Sequence, residues 1–205
     1  MVFRNSAGSP SRVKNASKAI RVADMAELWL KYDGNGKKRF PTGGEILDDA
    51  LILLVEDRDD DVSIILKGFE AAKINNPVTV VRDGEEAIQY LDHKGMFTDR
   101  DKYPLPHLIL LDLKMPRVDG FDVLRWVRSQ QHLSGIIIVV LTSSNQIRDV
   151  NQAYQLGANS FLVKPDDFQN VTSMATLLKD YWLYGNRTPG NRPRPSSSSS
   201  SSASP

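Results

Sequence analysis

The chain has 205 residues, and its 26 Lys plus Arg against 25 Asp plus Glu give a formal net charge of +1. It contains no cysteine, which excludes disulfides, thiolate metal sites and thiol nucleophiles, and no apolar run reaches the ~20 residues of a membrane span. Residues 1–48 carry a charge of +4, residues 49–184 carry −6 and residues 185–205 carry +3. This composition favours a cytoplasmic protein with no membrane segment and one acidic domain between basic flanks.

The two flanks are predicted to lie outside the folded domain. Residues 1–48 form a basic and mostly disordered extension, in which apolar side chains at helical spacing predict a short helix over residues 20–32. Residues 185–205 are rich in proline and serine and predict a disordered tail. Neither flank has the length of a usual DNA-binding or catalytic domain. Their basic charge is more typical of solvated tails than of a nucleic-acid partner.

The middle, residues 49–184, alternates short apolar runs with helical patterns. The runs are continuously apolar, as in parallel strands that are covered on both faces. They comprise residues 51–55, 78–81, 108–111, 136–141 and 160–163. A helical stripe follows each run; Asp60 or Asp61 is expected to cap the first helix, and Gly157 to end the fourth. Five such units predict an α/β, flavodoxin-like (βα)5 doubly wound fold whose five-stranded parallel sheet has the order 2-1-3-4-5.

Polar side chains follow these strands at their carboxyl ends. Glu56 and Asp57 come after the first strand, Asp112 after the third, Thr142 after the fourth and Lys164 after the fifth. Ligands of this fold class bind at that edge, so the five residues should converge there. Crowded carboxylates repel one another, and an oxygen-only ligand set suits Mg²⁺. An aspartate beside such a cation favours phosphoryl-transfer chemistry.

The motifs around these residues resemble the receiver domain of two-component response regulators. They comprise residues 53–57, 110–116 with Asp119 and Gly120, 140–143 and 157–165. The resemblance covers about residues 50–184. The long connection 93–107 resembles that of the stand-alone receivers associated with phytochromes.

The resemblance implies a phosphoacceptor and a metal site. Asp112 would accept the phosphoryl group and belong to a Mg²⁺ site. Asp57 would bind the ion directly, Glu56 would assist through water, and the backbone carbonyl of Lys114 would be a further ligand. The identity of Lys114 does not predict the lifetime of the phosphoryl group.

The resemblance also implies a switch. Thr142 and Lys164 would contact the phosphoryl group, and Phe161 would move together with Thr142. The Lys164–Pro165 bond is expected to be cis. The partner would be a sensor histidine kinase or a histidine phosphotransfer protein. The output would be protein–protein contact, including a homodimer through helix 4, strand 5 and helix 5, where Tyr154, Tyr181 and Trp182 would lie.

Two other functions remain open from the residues. The first is a Mg²⁺-dependent phosphatase or phosphotransferase, but haloacid-dehalogenase-type enzymes need a second Asp two residues after the nucleophile, where this chain has Lys114. The second is a receiver-fold binding module that is not phosphorylated, against which the full acidic set argues. The leading hypothesis is a phosphoacceptor, not an enzyme with turnover: its chemistry is limited to its own phosphorylation and dephosphorylation.

Overall fold

Five parallel strands form the sheet at the centre of the domain. The structure, a computed structural model, describes residues 31–32, 38–39 and 50–186. The strands are β1 (Ile52–Val55), β2 (Val78–Val81), β3 (Leu108–Leu111), β4 (Ile137–Thr142) and β5 (Ser160–Val163). Their order is β2-β1-β3-β4-β5, which confirms the predicted order and fold class. The predicted strand positions agree to within one residue.

Five helices alternate with the strands. They are α1 (Asp59–Ala71), α2 (Gly84–Leu91), α3 (Gly120–Ser129), α4 (Ile147–Gln155) and α5 (Phe168–Leu178). Two local predictions were wrong. Asp60 and Asp61 do not cap α1, because both lie within its first turn, where their charge favours the helix amino terminus instead. The last helical pattern does not continue as an α-helix through Trp182, because the chain winds as a π-helix over Lys179–Gly185.

The sheet separates two apolar cores. Along β1, Leu53 and Val55 face the core that contains residues of α2, α3 and α4, whereas Ile52 and Leu54 face the core of α1 and α5. All four of these side chains are at most 1 % exposed. This burial on both faces explains why β1 is an unbroken apolar run.

The long connection between α2 and β3 is organised by three aromatic rings. Tyr90, Phe97 and Tyr103 pack with ring centroids 5.1–6.0 Å apart in tilted or edge-to-face pairs. The Tyr90 hydroxyl donates to the carbonyl of Pro104 at 2.9 Å. Phe97 ends the 3₁₀-helix Gly95–Phe97. The connection therefore has its own apolar packing on the side of the sheet that carries α2.

The amino-terminal flank is described only where two short strands pair. Lys31–Tyr32 runs antiparallel to Lys38–Arg39. The predicted helix over residues 20–32 therefore does not reach its last two residues, because they are engaged in strand pairing. The remainder of that prediction and the predicted disordered flanks lie outside the described residues. Within the described part of the chain, no helix is long and apolar enough to cross a membrane.

Candidate functional site

The strand register brings the polar ends of β1 and β3 to one level. Val55 pairs with Leu111, so Glu56 and Asp112 follow side by side. The Asp112 amide donates to the Val55 carbonyl at 3.0 Å. The neighbouring pair of strands does the same, because the Lys164 amide donates to the Thr142 carbonyl at 2.8 Å.

Three carboxylates converge at this edge. Glu56, Asp57 and Asp112 each offer an oxygen, and these oxygens lie within 4.8 Å of one another. Glu56 is 1 % exposed and Asp112 4 % exposed, and the buried Oδ1 of Asp57 has no hydrogen-bond partner among the described residues. A buried acceptor without a donor is costly, and a cation would satisfy it. The donor set therefore fits a Mg²⁺ ion.

The ammonium of Lys164 sits among carboxylates. Its Nζ lies 2.5 Å from Glu56 Oε2 and 2.8 Å from both Asp112 Oδ2 and Asp61 Oδ2. The lysine side chain is only 12 % exposed. It supplies the positive charge that these buried acids need.

Burial shapes the protonation of this cluster. Removal from water raises the pKa of Glu56 to about 7, against the opposing effect of the Lys164 ammonium. Burial by itself lowers the pKa of Lys164, but hydrogen bonds to Asp112, Asp61 and Glu56 outweigh it and raise the pKa above its ordinary value. The lysine is therefore held as a cation.

Asp61 is a site residue that the sequence reading missed. It lies in the first turn of α1, and its side chain is 25 % exposed. The sequence predicted Asp60 or Asp61 only as a cap of the first helix. The available signal was the position of Asp61 in the chain: it lies in the first turn of the helix that follows the carboxyl end of β1, where Glu56 and Asp57 also lie.

The switch residues lie on β4 and β5. Thr142 is fully buried, and its Oγ1 accepts a 3.4 Å hydrogen bond from the amide of Ser144. The buried Ser144 hydroxyl in turn donates to the Asp149 carboxylate in the first turn of α4. A chain of hydrogen bonds thus runs from Thr142 into α4. Phe161 is half-buried and packs against the core on the α2–α4 side of the sheet.

The loop between β3 and α3 is held close to Asp112. The amide of Lys114 donates to Asp112 Oδ1 at 3.2 Å, while the Lys114 side chain is exposed. Gly120 allows this approach, because a Cβ there would lie 2.2 Å from the Asp112 carbonyl oxygen. The Asp112 carboxylate therefore meets a backbone donor on one oxygen and Lys164 on the other.

The predicted cis bond before Pro165 is wrong. No cis peptide bond occurs among the described residues, so the Lys164–Pro165 bond is trans. The two isomers of an X–Pro bond differ by only about 0.5–1 kcal/mol, and sequence alone does not choose between them.

The family model of the response regulator receiver domain matches residues 52–176. The probable methanogenesis regulatory protein FilR2 of Methanothrix harundinacea is 37% identical over 151 residues, which cover 72% of this chain and 94% of FilR2. The response regulator Rcp1 of Synechocystis is 33% identical over 133 residues, covering 65% of this chain and 88% of Rcp1.

Two solved structures are similar over the same region. The phosphorylated cyanobacterial phytochrome response regulator RcpA has a TM-score of 0.64 at 31% identity and covers 69% of this chain and 99% of its own. The Mn²⁺-bound form of Rcp1 has a TM-score of 0.62 at 32% identity and covers 68% and 99%. The residues matched by the family model, 52–176, include the strand ends that carry the acidic cluster.

Proposed function

Because the chain belongs to the family of response regulator receiver domains, we propose that it is a single-domain response regulator that accepts a phosphoryl group on Asp112. The donor is a sensor histidine kinase or a histidine phosphotransfer protein. The observation that carries this proposal is the environment of Asp112: a buried carboxylate beside two further carboxylates, with Lys164 at 2.8 Å. Solved relatives include a phosphorylated response regulator and a Mn²⁺-bound one.

The residues of the site divide the work of a phosphoryl transfer. Glu56, Asp57, Asp112 and the Lys114 carbonyl would hold Mg²⁺, which when bound neutralises charge between the carboxylates and the phosphoryl oxygens. An Asp112 oxygen forms the new P–O bond while the P–N bond of the phosphohistidine breaks, and that bond pair stays with the departing imidazole nitrogen. Lys164 supplies a positive charge to the transferred group.

Signalling follows from rearrangement at β4 and β5. The Thr142 hydroxyl leaves the Ser144 amide for a phosphoryl oxygen, and Phe161 moves into the space that Thr142 vacates. The chain does not turn over a separate substrate; its chemistry is limited to its own phosphorylation and dephosphorylation. Output is by protein contact, including a homodimer through α4, β5 and α5. Exposed apolar side chains support this surface: Ile147, Tyr154 and Val163 are 73%, 50% and 48% exposed.

Labelling with acetyl phosphate and Mg²⁺ tests the proposal. Intact mass should increase by one phosphate in the wild type and not in Asp112→Asn, since the amide is not a nucleophile for this transfer. Light scattering with and without beryllofluoride, a mimic of the phosphoryl group, then tests the homodimer. A wild type that takes no phosphate, or an Asp112→Asn variant still labelled on the same peptide, would contradict the assignment.

A further inference from the structure

The ammonium of Lys164 has three N–H donors, and three different carboxylates surround it. Glu56, Asp61 and Asp112 each place one oxygen within 2.8 Å of Nζ. A protonated lysine has no fourth donor. The direction of the ammonium in the resting protein is thus set jointly by β1, α1 and β3, which carry these acids.

The three acids are not equivalent once phosphoryl transfer is considered. Glu56 and Asp112 belong to the acidic cluster that fits a metal, and Asp112 is also the phosphoacceptor under the proposed function. Asp61 is not among the clustered ligand oxygens. It is therefore the one acceptor of the three that remains free to hold Lys164 when the other two turn to the ion and the phosphoryl group.

Among the described residues, no other side chain that lines the cleft on this side of the lysine can replace Asp61. Asp61 and Lys164 line a cleft of about 40 Å³ between α1 and α5. The other residues that line this cleft are all apolar: Ile64, Ile65, Leu141, Pro165, Val171 and Met174. Among the residues that line the cleft, Asp61 thus supplies the only side-chain oxygen for the ammonium.

We propose that Asp61 is a positioning residue for phosphoryl transfer, which orients the Lys164 ammonium toward the phosphoryl oxygens on Asp112. This inference rests on the proposed function. Lysine is a flexible four-carbon cation, and fixing it in advance removes part of the entropy cost of placing its charge. The fixed anchor is the first turn of α1, where the helix amino terminus also favours a carboxylate.

Two substitutions separate this role from a simple effect of charge. Asp61→Ala and Asp61→Asn both remove the negative charge, which by itself would reduce repulsion of the incoming phosphoryl group. Only Asn keeps an oxygen that can accept from Nζ. The matched control is Asp60→Ala, which removes an exposed carboxylate from the same helical turn.

The test measures the rate of acetyl phosphate labelling by intact mass at saturating Mg²⁺. Calorimetry on each unlabelled variant establishes saturation, so that a change in metal affinity is not read as a change in transfer. We expect Asp61→Ala to be labelled about tenfold more slowly, as for the loss of one charge-assisted hydrogen bond. Asp61→Asn should recover most of that rate, and Asp60→Ala should stay within about twofold of wild type.

The outcomes distinguish the inference from the function on which it rests. A wild type that accepts no phosphate overturns the proposed function and the role of Asp61 together. A labelled wild type with Asp61→Ala at the same or a faster rate overturns the role of Asp61 alone. Equal losses in Asp61→Ala and Asp61→Asn would also overturn it, because they would show that an acceptor oxygen at this position is not enough to orient the lysine. Melting temperatures measured without Mg²⁺ identify any loss of labelling rate that arises because a variant is partly unfolded.

Discussion

Two partly buried cations lie at opposite ends of the sheet, and their partners differ. Lys164, at the carboxyl edge, contacts the charged oxygens of Glu56, Asp61 and Asp112. Arg128 of α3, at the amino edge, donates at 2.9–3.1 Å to neutral acceptors: the carbonyls of Gly157 and Ile136 and the side-chain oxygen of Asn159. Burial lowers the pKa of Arg128, whereas the net effect on Lys164 is a raised pKa.

The partners of Lys164 are charged groups that can bind other cations, whereas the partners of Arg128 are neutral acceptors. Under the proposed function, a metal ion and a phosphoryl group would take up some of the charges around Lys164, so its contacts could be redistributed without leaving an atom unpaired. The Arg128 guanidinium donates instead to two main-chain carbonyls that precede β4 and β5, and to Asn159 Oδ1, which also accepts from the Ile138 amide. We therefore expect substitutions at Lys164 to change function and substitutions at Arg128 to change stability.

The largest expected effect is at Lys164. Lys164→Met should slow acetyl phosphate labelling at least about a hundredfold, as for removal of a donor aimed at developing charge. In Mg²⁺-free buffer it should also lose about 3 kcal/mol of unfolding free energy, because the carboxylates lose their cation. Millimolar Mg²⁺ should restore most of that stability in chemical denaturation. The exposed Lys67→Met is the control, and unchanged labelling in Lys164→Met would contradict the comparison.

Arg128 should give the opposite pattern. Arg128→Met removes a donor from the Gly157 and Ile136 carbonyls, while Asn159 Oδ1 keeps the amide of Ile138, and we expect a loss of about 3 kcal/mol in unfolding free energy. Added Mg²⁺ should not recover it, and labelling of the folded fraction should match wild type. Arg125→Met, on the exposed side of the same helix, should cost less than about 1 kcal/mol. An Arg128→Met variant that is stable but poorly labelled would contradict the expectation that Arg128 affects stability and not phosphoryl transfer.

The buried Glu56 should make the metal-free protein less stable as pH rises. The pKa of Glu56 in the folded state, about 7, lies above the ordinary value of 4.5. Between these two pH values Glu56 is protonated in the folded state and ionised in the unfolded state. Stability should therefore fall between pH 4.5 and 7, by about 2–3 kcal/mol from this group, and level off above. Glu56→Gln should flatten the fall in EDTA-containing buffer. The exposed Glu70→Gln should keep the wild-type slope.

The smallest effect is expected between Ser144 and Asp149. Ser144→Ala and Asp149→Ala should each cost about 1 kcal/mol, because each removes the hydrogen bond that ties the β4–α4 loop to the first turn of α4. The double variant should cost less than the sum of the two, as measured in a double-mutant cycle. Strict additivity would show that the two side chains are not coupled, and the hydrogen-bond chain from Thr142 into α4 would then end at Ser144.

Much of the fold could be predicted because its signals are local and repeated. Each strand is a short run of mostly apolar residues, and each helix has an apolar stripe, so the order of elements follows directly. The predictions that failed concern the end of the last helix and the cap of the first helix, where one sequence pattern fits two local structures. The apolar spacing through Trp182 suits an α-helix, yet the chain forms a π-helix there. The acids 59–61 suit a helix cap, yet Arg58 precedes the helix without a side-chain cap.

The polar residues at the two ends of the sheet also differ in how far they could be predicted. The acids and the lysine at the strand ends could be predicted, because parallel strands bring their carboxyl ends to one edge. The role of Arg128 had no local signal, since its acceptors lie 8 to 31 residues away along the chain. An Arg in an amphipathic helix is typical of solvated charge. Only packing shows that this one is half-buried.

The sequence by itself determined the order of the elements and which polar residues end each strand, because both depend on short-range patterns of hydropathy. The tertiary structure alone decided that Asp61 meets Lys164 across 103 residues. It also decided that the bond before Pro165 is trans and that Gly120 packs on the backbone of Asp112. These outcomes depend on distances between elements, and distances are set by how the helices and strands pack.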